Sequence, residues 1–357
     1  MSNESKTNVK VVFGAMTIGK PGEFPSWSAI VLTSDTTDGF PGIEMTRVFT
    51  LEDTSAILDV FQKHGHSEID TSRAYGQGSS EEYLGDLHWR DRGLVMDTKL
   101  YPTKGTPMEE AVAYTHSPED LRKGLMSSLR ALQTDKLHLW YLHGPDRKTP
   151  FEDTLREVNN LYEEGYFERF GISNYYAWEV AKVCEICDKN GWIKPTVYQG
   201  LYNALHRAVE NELFPCLRHY GLSLYCFNPL AGGFLTDRYK RDTEDIEGGA
   251  RFDPKRWQGQ LHRGRYWNAA YFDALDIIRP VAKEHGLTES EVGLRWLAHH
   301  SQLKKELGDG IIVGASSTHH LETNLTDLEK GPLPEEVVQA VEAGWLRIRG
   351  PMLKYWH

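Results

Sequence analysis

Residues 137–172 read LHLWYLHGPDRKTPFEDTLREVNNLYEEGYFERFGI. They open on the apolar run 137–142, interrupted only by His138. Leu155, Val158, Leu161 and Tyr162 then recur at helical spacing, and Gly165 closes that pattern. A second candidate strand, RFGI (169–172), follows. A strand, a crossover helix and a strand in this order make a unit with parallel strands, because an antiparallel return needs only a tight turn.

The same alternation extends through the chain. Candidate strands are 11–16, 67–70, 94–99, 137–142, 169–172, 196–199, 222–227 and 310–313. Between the third and fourth, Ser117 offers an N-cap, Pro118 a first helical residue, and Glu119 and Asp120 acids for the first turn. Leu121, Leu125, Leu129 and Leu132 then line one face. Eight strands alternating with helices predict a closed (β/α)8 TIM barrel with long loops at its C-terminal face. The barrel would run from about 11 to 328 within one domain spanning 1–357. A doubly wound sheet is the alternative, disfavoured because no G-x-G-x-x-G opens the first helix.

Two segments break the rhythm. Residues 20–49 are rich in Gly, Pro, Ser, Thr and Asp, and residues 236–266 are charged and Gly-rich. Loops at the carboxyl ends of barrel strands build active sites, so both are candidate lids or pocket walls. The first is equally read as a surface insertion. Residues 329–357 form a C-terminal helix and tail, and the aromatic end GPMLKYWH (350–357) either folds over the mouth or packs on the barrel.

The formal net charge of −11 argues against a nucleic-acid partner or an anionic membrane surface. No run of about 20 apolar residues is present, as a membrane-spanning helix would need. Residues 1–10 are polar and lack a signal-peptide core, so the expected compartment is the cytosol. Cys184 and Cys187 form a C-x-x-C on an amphipathic stretch with no second pair at metal spacing. They are read, with Cys216 and Cys226, as reduced thiols, and no metal site is expected.

The strand ends carry the chemistry. Asp70 ends the second strand, with Tyr75 just beyond it; Lys99 ends the third and His143 follows the fourth. Ser173 and Asn174 follow the fifth, Gln199 ends the sixth and Phe227 the seventh. Each has a plain alternative: Asp70 a helix cap, Lys99 a surface lysine, His143 a structural imidazole, Phe227 a core aromatic. A parallel barrel brings all of them to one mouth. There Tyr75 can give a proton to a developing alkoxide, with Lys99 lowering its pKa, Asp70 holding Lys99, and a neutral His143 bonding the substrate oxygen.

The runs EIDTSRAYG (68–76), DTK (97–99), YLH (141–143) and GISN (171–174) resemble the signature of the aldo-keto reductases. The resemblance runs from about 11 to 328. AWEV (177–180), NGWI (190–193), QGLYNA (199–204), LFPCLR (213–218) and FNPLAGG (227–233) resemble the aflatoxin-aldehyde (succinic semialdehyde) reductase branch. That resemblance implies the barrel, NADPH as cofactor, a small carbonyl substrate such as an aldehyde or ketone, and often a homodimer. It implies the tetrad Asp70, Tyr75, Lys99 and His143. It further implies that Ser173, Asn174 and Gln199 hold the nicotinamide carboxamide, and that Phe227 stacks on the ring. Leu230, Gly232 and Arg238 would then run beside the pyrophosphate, with Gly314, Ser316, His320 and Asn324 at the adenosine-phosphate end. His320 and Thr323 depart from the residues common there. Two other readings compete: an NADPH-binding regulatory subunit with little turnover, which His143 argues against, and an acid-promoted elimination or rearrangement, which substrate-dependent NADPH consumption distinguishes.

Overall fold

The computed structural model describes residues 6–21, 45–106, 113–244, 246, 248, 250–350 and 352–356. Eight parallel strands close into a barrel in chain order: β1 (Lys10–Gly14), β2 (Glu68–Asp70), β3 (Val95–Leu100), β4 (Leu137–Leu142), β5 (Phe167–Ser173), β6 (Pro195–Leu201), β7 (Ser223–Phe227) and β8 (Gly310–Val313). β1 pairs β8 from Lys10↔Gly310 to Phe13↔Val313, which shuts the sheet on itself. The barrel expectation is met. Strand ends differ from the sequence reading by one or two residues, and β1 gives way to a 3-10 turn at Ala15–Thr17.

Helices ring the sheet: α1 (Leu51–Lys63), α2 (Ser79–Asp86), α3 (Pro118–Ala131), α4 (Phe151–Glu163), α5 (Ala177–Asn190), α6 (Leu213–Tyr220), α7 (Trp257–Tyr266), α8 (Ala269–Glu284), α9 (Glu289–His299), α10 (Thr318–Leu328) and α11 (Glu335–Ile348). Their starts follow local chemistry. Ser117 accepts from the Asp120 N–H with Pro118 at the first position, and Thr50, Asn268, Thr288 and Ser317 cap in the same way. Leu121, Leu125, Leu129 and Leu132 are buried, as are Leu155, Val158 and Leu161. Tyr162 corrects the expectation: at the edge of the stripe, it is 40% exposed and only leans on Phe167.

Alternation along each strand separates two cores. Phe13, Ile69, Met96, Trp140 and Ile172 face the helices, whereas Val12, Leu139, Tyr141, Val197, Tyr225 and Ile312 fill the barrel, with Phe227 on top. Below these lie Lys10 and Glu68, 2.8 Å apart, and His138 bonded to Asp97 at 2.9 Å. Burial, then the neighbouring Glu68 and Asp70, hold the Asp97 carboxyl well above the usual range.

Residues 22–44, the bulk of the expected 20–49 insertion, lie outside the described residues. Its two ends meet: Ile18 bridges Val48, and Gly19 N–H bonds the Val48 carbonyl. Within 236–266, read as loop, residues 257–266 form α7; its sequence WQGQLHRGRY carries no apolar stripe to announce it. The C-terminal end packs on the rim beside the loops after β5 and β6, where the Tyr355 hydroxyl accepts from Ala177 N–H at 3.2 Å. No helix among the described residues is long and apolar enough to cross a membrane. Cys184, Cys187, Cys216 and Cys226 are all unpaired, and burial pushes the thiols of Cys184 and Cys187 up to about 12.

Buried imidazoles set an acid limit, His66 and His206 among them. Burial pulls His66 and His206 down to about 4 from an ordinary value of 6.5. The unfolded chain therefore takes up these protons first as pH falls. Stability is fully present above about 6.5 and is lost toward 4, by up to roughly 3 kcal/mol for each group. Thermal midpoints measured from pH 7 to pH 4 should fall steadily below about 6.5, less so in His206→Gln. A flat profile would contradict this.

Candidate active site

The register raises the polar strand ends to one level. Asp70 pairs with Asp97, Lys99 with Tyr141, Ser173 with Gln199, and Leu201 with Phe227. Lys99 is fully buried and Asp70 is 2% exposed. The Lys99 ammonium donates to Asp70 Oδ2 at 2.6 Å, to the Thr71 carbonyl at 2.7 Å and to the Tyr75 hydroxyl at 3.3 Å. Its three protons thus have three acceptors, which is what a buried ammonium needs. His143 meets the Tyr75 ring edge-on at 5.8 Å, and its Nδ1 lies 3.2 Å from Ser72 Oγ. The four strand-end residues expected to act together are in one cluster.

The electrostatics correct one expectation. Lys99 does pull the Tyr75 phenol down, but burial pushes it up by more, and the net shift is upward. Tyr75 is therefore a protonated phenol at neutral pH. Burial also raises the Asp70 carboxyl, with Lys99 and Gln199 opposing. Burial works against the charged Lys99, but Asp70 and Tyr75 outweigh it and the net shift is upward, so the ammonium stays charged.

A model of the aldo/keto reductase family matches residues 41–345. The chain belongs to the aldo/keto reductase family. It is 50% identical over 355 residues to aldo-keto reductase pigE of Monascus ruber, covering 99% of this chain and 98% of that protein. It is 43% identical over 312 residues to human aldo-keto reductase family 7 member A3, covering 85% and 92% of the two chains. It is 41% identical over 312 residues to mouse aflatoxin B1 aldehyde reductase member 2, covering 85% and 83%. A crystal structure of a Klebsiella pneumoniae aldo/keto reductase, in complex with NADP and acetate, superposes with a TM-score of 0.63 at 21% identity, covering 97% and 96%. That likeness bears on the fold.

The other expected residues of this aldo/keto reductase lie toward the ends of β5, β6 and β7 and in the segments that follow β7 and β8. Asn174, at φ 66°, donates from Nδ2 to the His143 carbonyl and to Ser173 Oγ, each at 2.9 Å. Gln199 donates from Nε2 to Asp70 Oδ1 at 2.8 Å, so that amide proton orients the carboxylate. Phe227 and Leu230 are half-buried at the mouth. Gly232, at φ 71°, lies against His262, where a Cβ would come within 2.3 Å of the imidazole. Arg238, expected beside a pyrophosphate, acts through its charge on His320, after burial and His319, and His320 Nδ1 lies 2.9 Å from Ser316 Oγ at the start of α10. Gly314 opens that loop and Asn324 is buried in the helix.

Sequence reasoning missed Arg47 and Arg251. Burial, then the Arg47 guanidinium, pulls Arg251 down to about 10, and Arg251 in turn depresses His262, which burial first lowers to about 3. Among the described residues no carboxylate pairs with Arg251. Two half-buried guanidiniums that act on each other, with a neutral imidazole and the Gly232 turn beside them, fit a bound anion. Only the folded path of the chain joins residue 47 to residue 251, so no local pattern could have announced the pair.

Proposed function

We propose that this protein reduces aldehydes or ketones to alcohols with NADPH, and that Tyr75 is the proton donor. The observation that carries the reading is the buried Asp70–Lys99–Tyr75 chain of contacts at 2.6 and 3.3 Å, beside His143. The donor set also fits a phosphorylated dinucleotide. Ser173 and Asn174 offer polar groups for a carboxamide, and Phe227 offers a ring face at the mouth. Arg47 and Arg251 meet a pyrophosphate under the Gly232 turn. Arg238, Ser316 and His320 meet a ribose phosphate at a helix start. The relatives named as aldehyde reductases, and the Klebsiella neighbour with NADP, support the same reading.

When bound, NADPH supplies the hydride that reduces the carbonyl carbon. Tyr75 gives its proton to the substrate oxygen as negative charge develops there, and His143 hydrogen-bonds the same oxygen. Lys99, 3.3 Å away, stabilises the phenolate left behind. Asp70 holds Lys99 in place, and Gln199 holds Asp70. Solvent returns the proton to Tyr75.

NADPH oxidation by the purified protein, measured against nitrobenzaldehyde, succinic semialdehyde and an aryl ketone with NADH in parallel, tests this. Turnover with NADPH supports the reading; tight NADPH binding with no carbonyl consumed overturns it. Arg251→Ala should raise the Kd for NADPH by roughly tenfold or more, as loss of a charge-assisted contact does, and should leave the folded chain intact. An unchanged Kd by fluorescence titration would remove Arg251 from the site.

A further inference from the structure

The turn that carries Tyr75 also carries a residue that the reduction chemistry leaves unused. Ser72 lies two residues beyond the end of β2 and is fully buried. Its carbonyl accepts from the Tyr75 N–H at 3.0 Å, which closes the turn 72–75. Its hydroxyl oxygen has three neighbours: the Ala74 N–H at 3.2 Å, the Lys99 carbonyl at 3.4 Å and Nδ1 of His143 at 3.2 Å. The turn after β2, the end of β3 and the first residue after β4 thus meet at one oxygen.

A hydroxyl has one proton to give and two lone pairs to receive. One lone pair of Ser72 takes the Ala74 N–H. The proton has two candidate acceptors. The Lys99 carbonyl, at 3.4 Å, is beyond the usual O–H···O range of about 2.5–3.0 Å, and it already accepts from the Arg73 N–H. Nδ1 of His143 is nearer. A proton on Nδ1 would force the hydroxyl to receive twice and to place its own proton on the distant carbonyl. An unprotonated Nδ1 gives every group its partner, and the neutral imidazole then carries its proton on Nε2, at the far corner of the ring.

Other contacts place the His143 ring without distinguishing its nitrogens. The His143 backbone N–H donates to the Leu100 carbonyl at 2.8 Å, and its carbonyl accepts from Asn174 Nδ2 at 2.9 Å. The ring stands edge-on to Tyr75 and Tyr101, with centroids 5.8 and 5.5 Å apart. The tautomer matters to the reaction. Charge developing on a carbonyl oxygen is stabilised by an N–H, whereas an unprotonated Nε2 would turn a lone pair toward it.

We propose that Ser72 is a positioning residue: its hydroxyl donates to Nδ1 of His143, holds the imidazole as the Nε2–H tautomer, and so aims that proton at the substrate oxygen. Ser72 keeps its own proton throughout and acts on the substrate only through His143. Because the same turn carries Tyr75, one piece of backbone sets both donors to the carbonyl. The effect on rate rests on the reductase reading.

Nitrogen-15 spectra of the NADP+-loaded, histidine-labelled protein test the tautomer without turnover, the His143 signals being assigned by their loss in His143→Gln. In the parent, Nε2 should give the signal of a protonated ring nitrogen and Nδ1 that of an unprotonated, hydrogen-bonded one. In Ser72→Ala the Nδ1 signal should move toward the value of an unbonded ring nitrogen, and in Ser72→Thr, which keeps the hydroxyl, it should return. A proton on Nδ1 in the parent, or an Nδ1 signal that Ser72→Ala leaves in place, overturns the proposal. Kinetics read the consequence. The kcat/KM for nitrobenzaldehyde should fall roughly tenfold in Ser72→Ala, the worth of one buried hydrogen bond, and largely recover in Ser72→Thr, with the Kd for NADPH unchanged. Parental kcat/KM in Ser72→Ala overturns the positioning role whatever the spectra show. A parent with the predicted spectra that reduces no carbonyl upholds the Ser72–His143 bond and overturns the reductase reading instead.

Discussion

Tyr75→Phe is expected to lower kcat/KM for aldehyde reduction by roughly a hundredfold or more, the range of general-acid catalysis, with the Kd for NADPH unchanged within error. The phenyl ring keeps the volume and the edge-on contact with His143 (5.8 Å) and removes only the hydroxyl. Nothing else in the tetrad replaces that proton. Lys99 spends its protons on Asp70, Thr71 and Tyr75, and a lysine held charged is a poor acid at neutral pH. Because burial raises the Tyr75 phenol, the parent should stay active as pH rises through the neutral range, since the donor remains protonated. Steady-state kinetics and a fluorescence titration on the same preparation check both parts. Parental turnover in Tyr75→Phe would remove Tyr75 from its role.

Lys99→Met is expected to be still more damaging, because it acts on catalysis and on folding. The phenolate formed at Tyr75 would lose its countercharge, and kcat/KM should fall by roughly a thousandfold. Asp70, 2% exposed, would lose its ion-pair partner and keep only the Gln199 amide among its side-chain partners. Removing one partner of a buried pair costs about 3–5 kcal/mol if the other stays charged. The Asp70 carboxyl is already raised by burial, so protonation would relieve part of this, and the loss should shrink as pH is lowered from neutral. Denaturant unfolding of Lys99→Met, Asp70→Asn and the double variant checks it. The double variant should be more stable than Lys99→Met alone. A double variant whose loss equals the sum of the two single losses would mean that the pair carries no coupling.

What was legible in the sequence was what repeats or sits at a fixed place in a repeat. The βαβ rhythm of 137–172 implied parallel strands, and parallel strands bring Asp70, Lys99, His143, Ser173 and Gln199 to one rim whatever the loops do. The stripe through Leu121, Leu125 and Leu129 read correctly because packing depends on that spacing. Depth did not read. The net direction of the Tyr75 shift depends on how much protein covers the ring, and Tyr162 lies just past the buried edge of its stripe. Contacts across the rim did not read either. Arg47 acts on Arg251, Arg147 lies over Tyr176, and Tyr176 meets Trp356, only because separate parts of the chain converge on the rim. Helix α7 was taken for loop because its face is polar and it packs through Gln258, Gly259 and Tyr266.

The central claim is hydride delivery from NADPH to a carbonyl held against Tyr75. Its most direct test is the mass spectrum of the alcohol formed from nitrobenzaldehyde with NADPH doubly deuterated at the reactive nicotinamide carbon. One deuterium at the carbinol carbon, formed quickly by the parent and very slowly by Tyr75→Phe, is the predicted result. Alcohol without the label, or label delivered equally fast by both proteins, would contradict it.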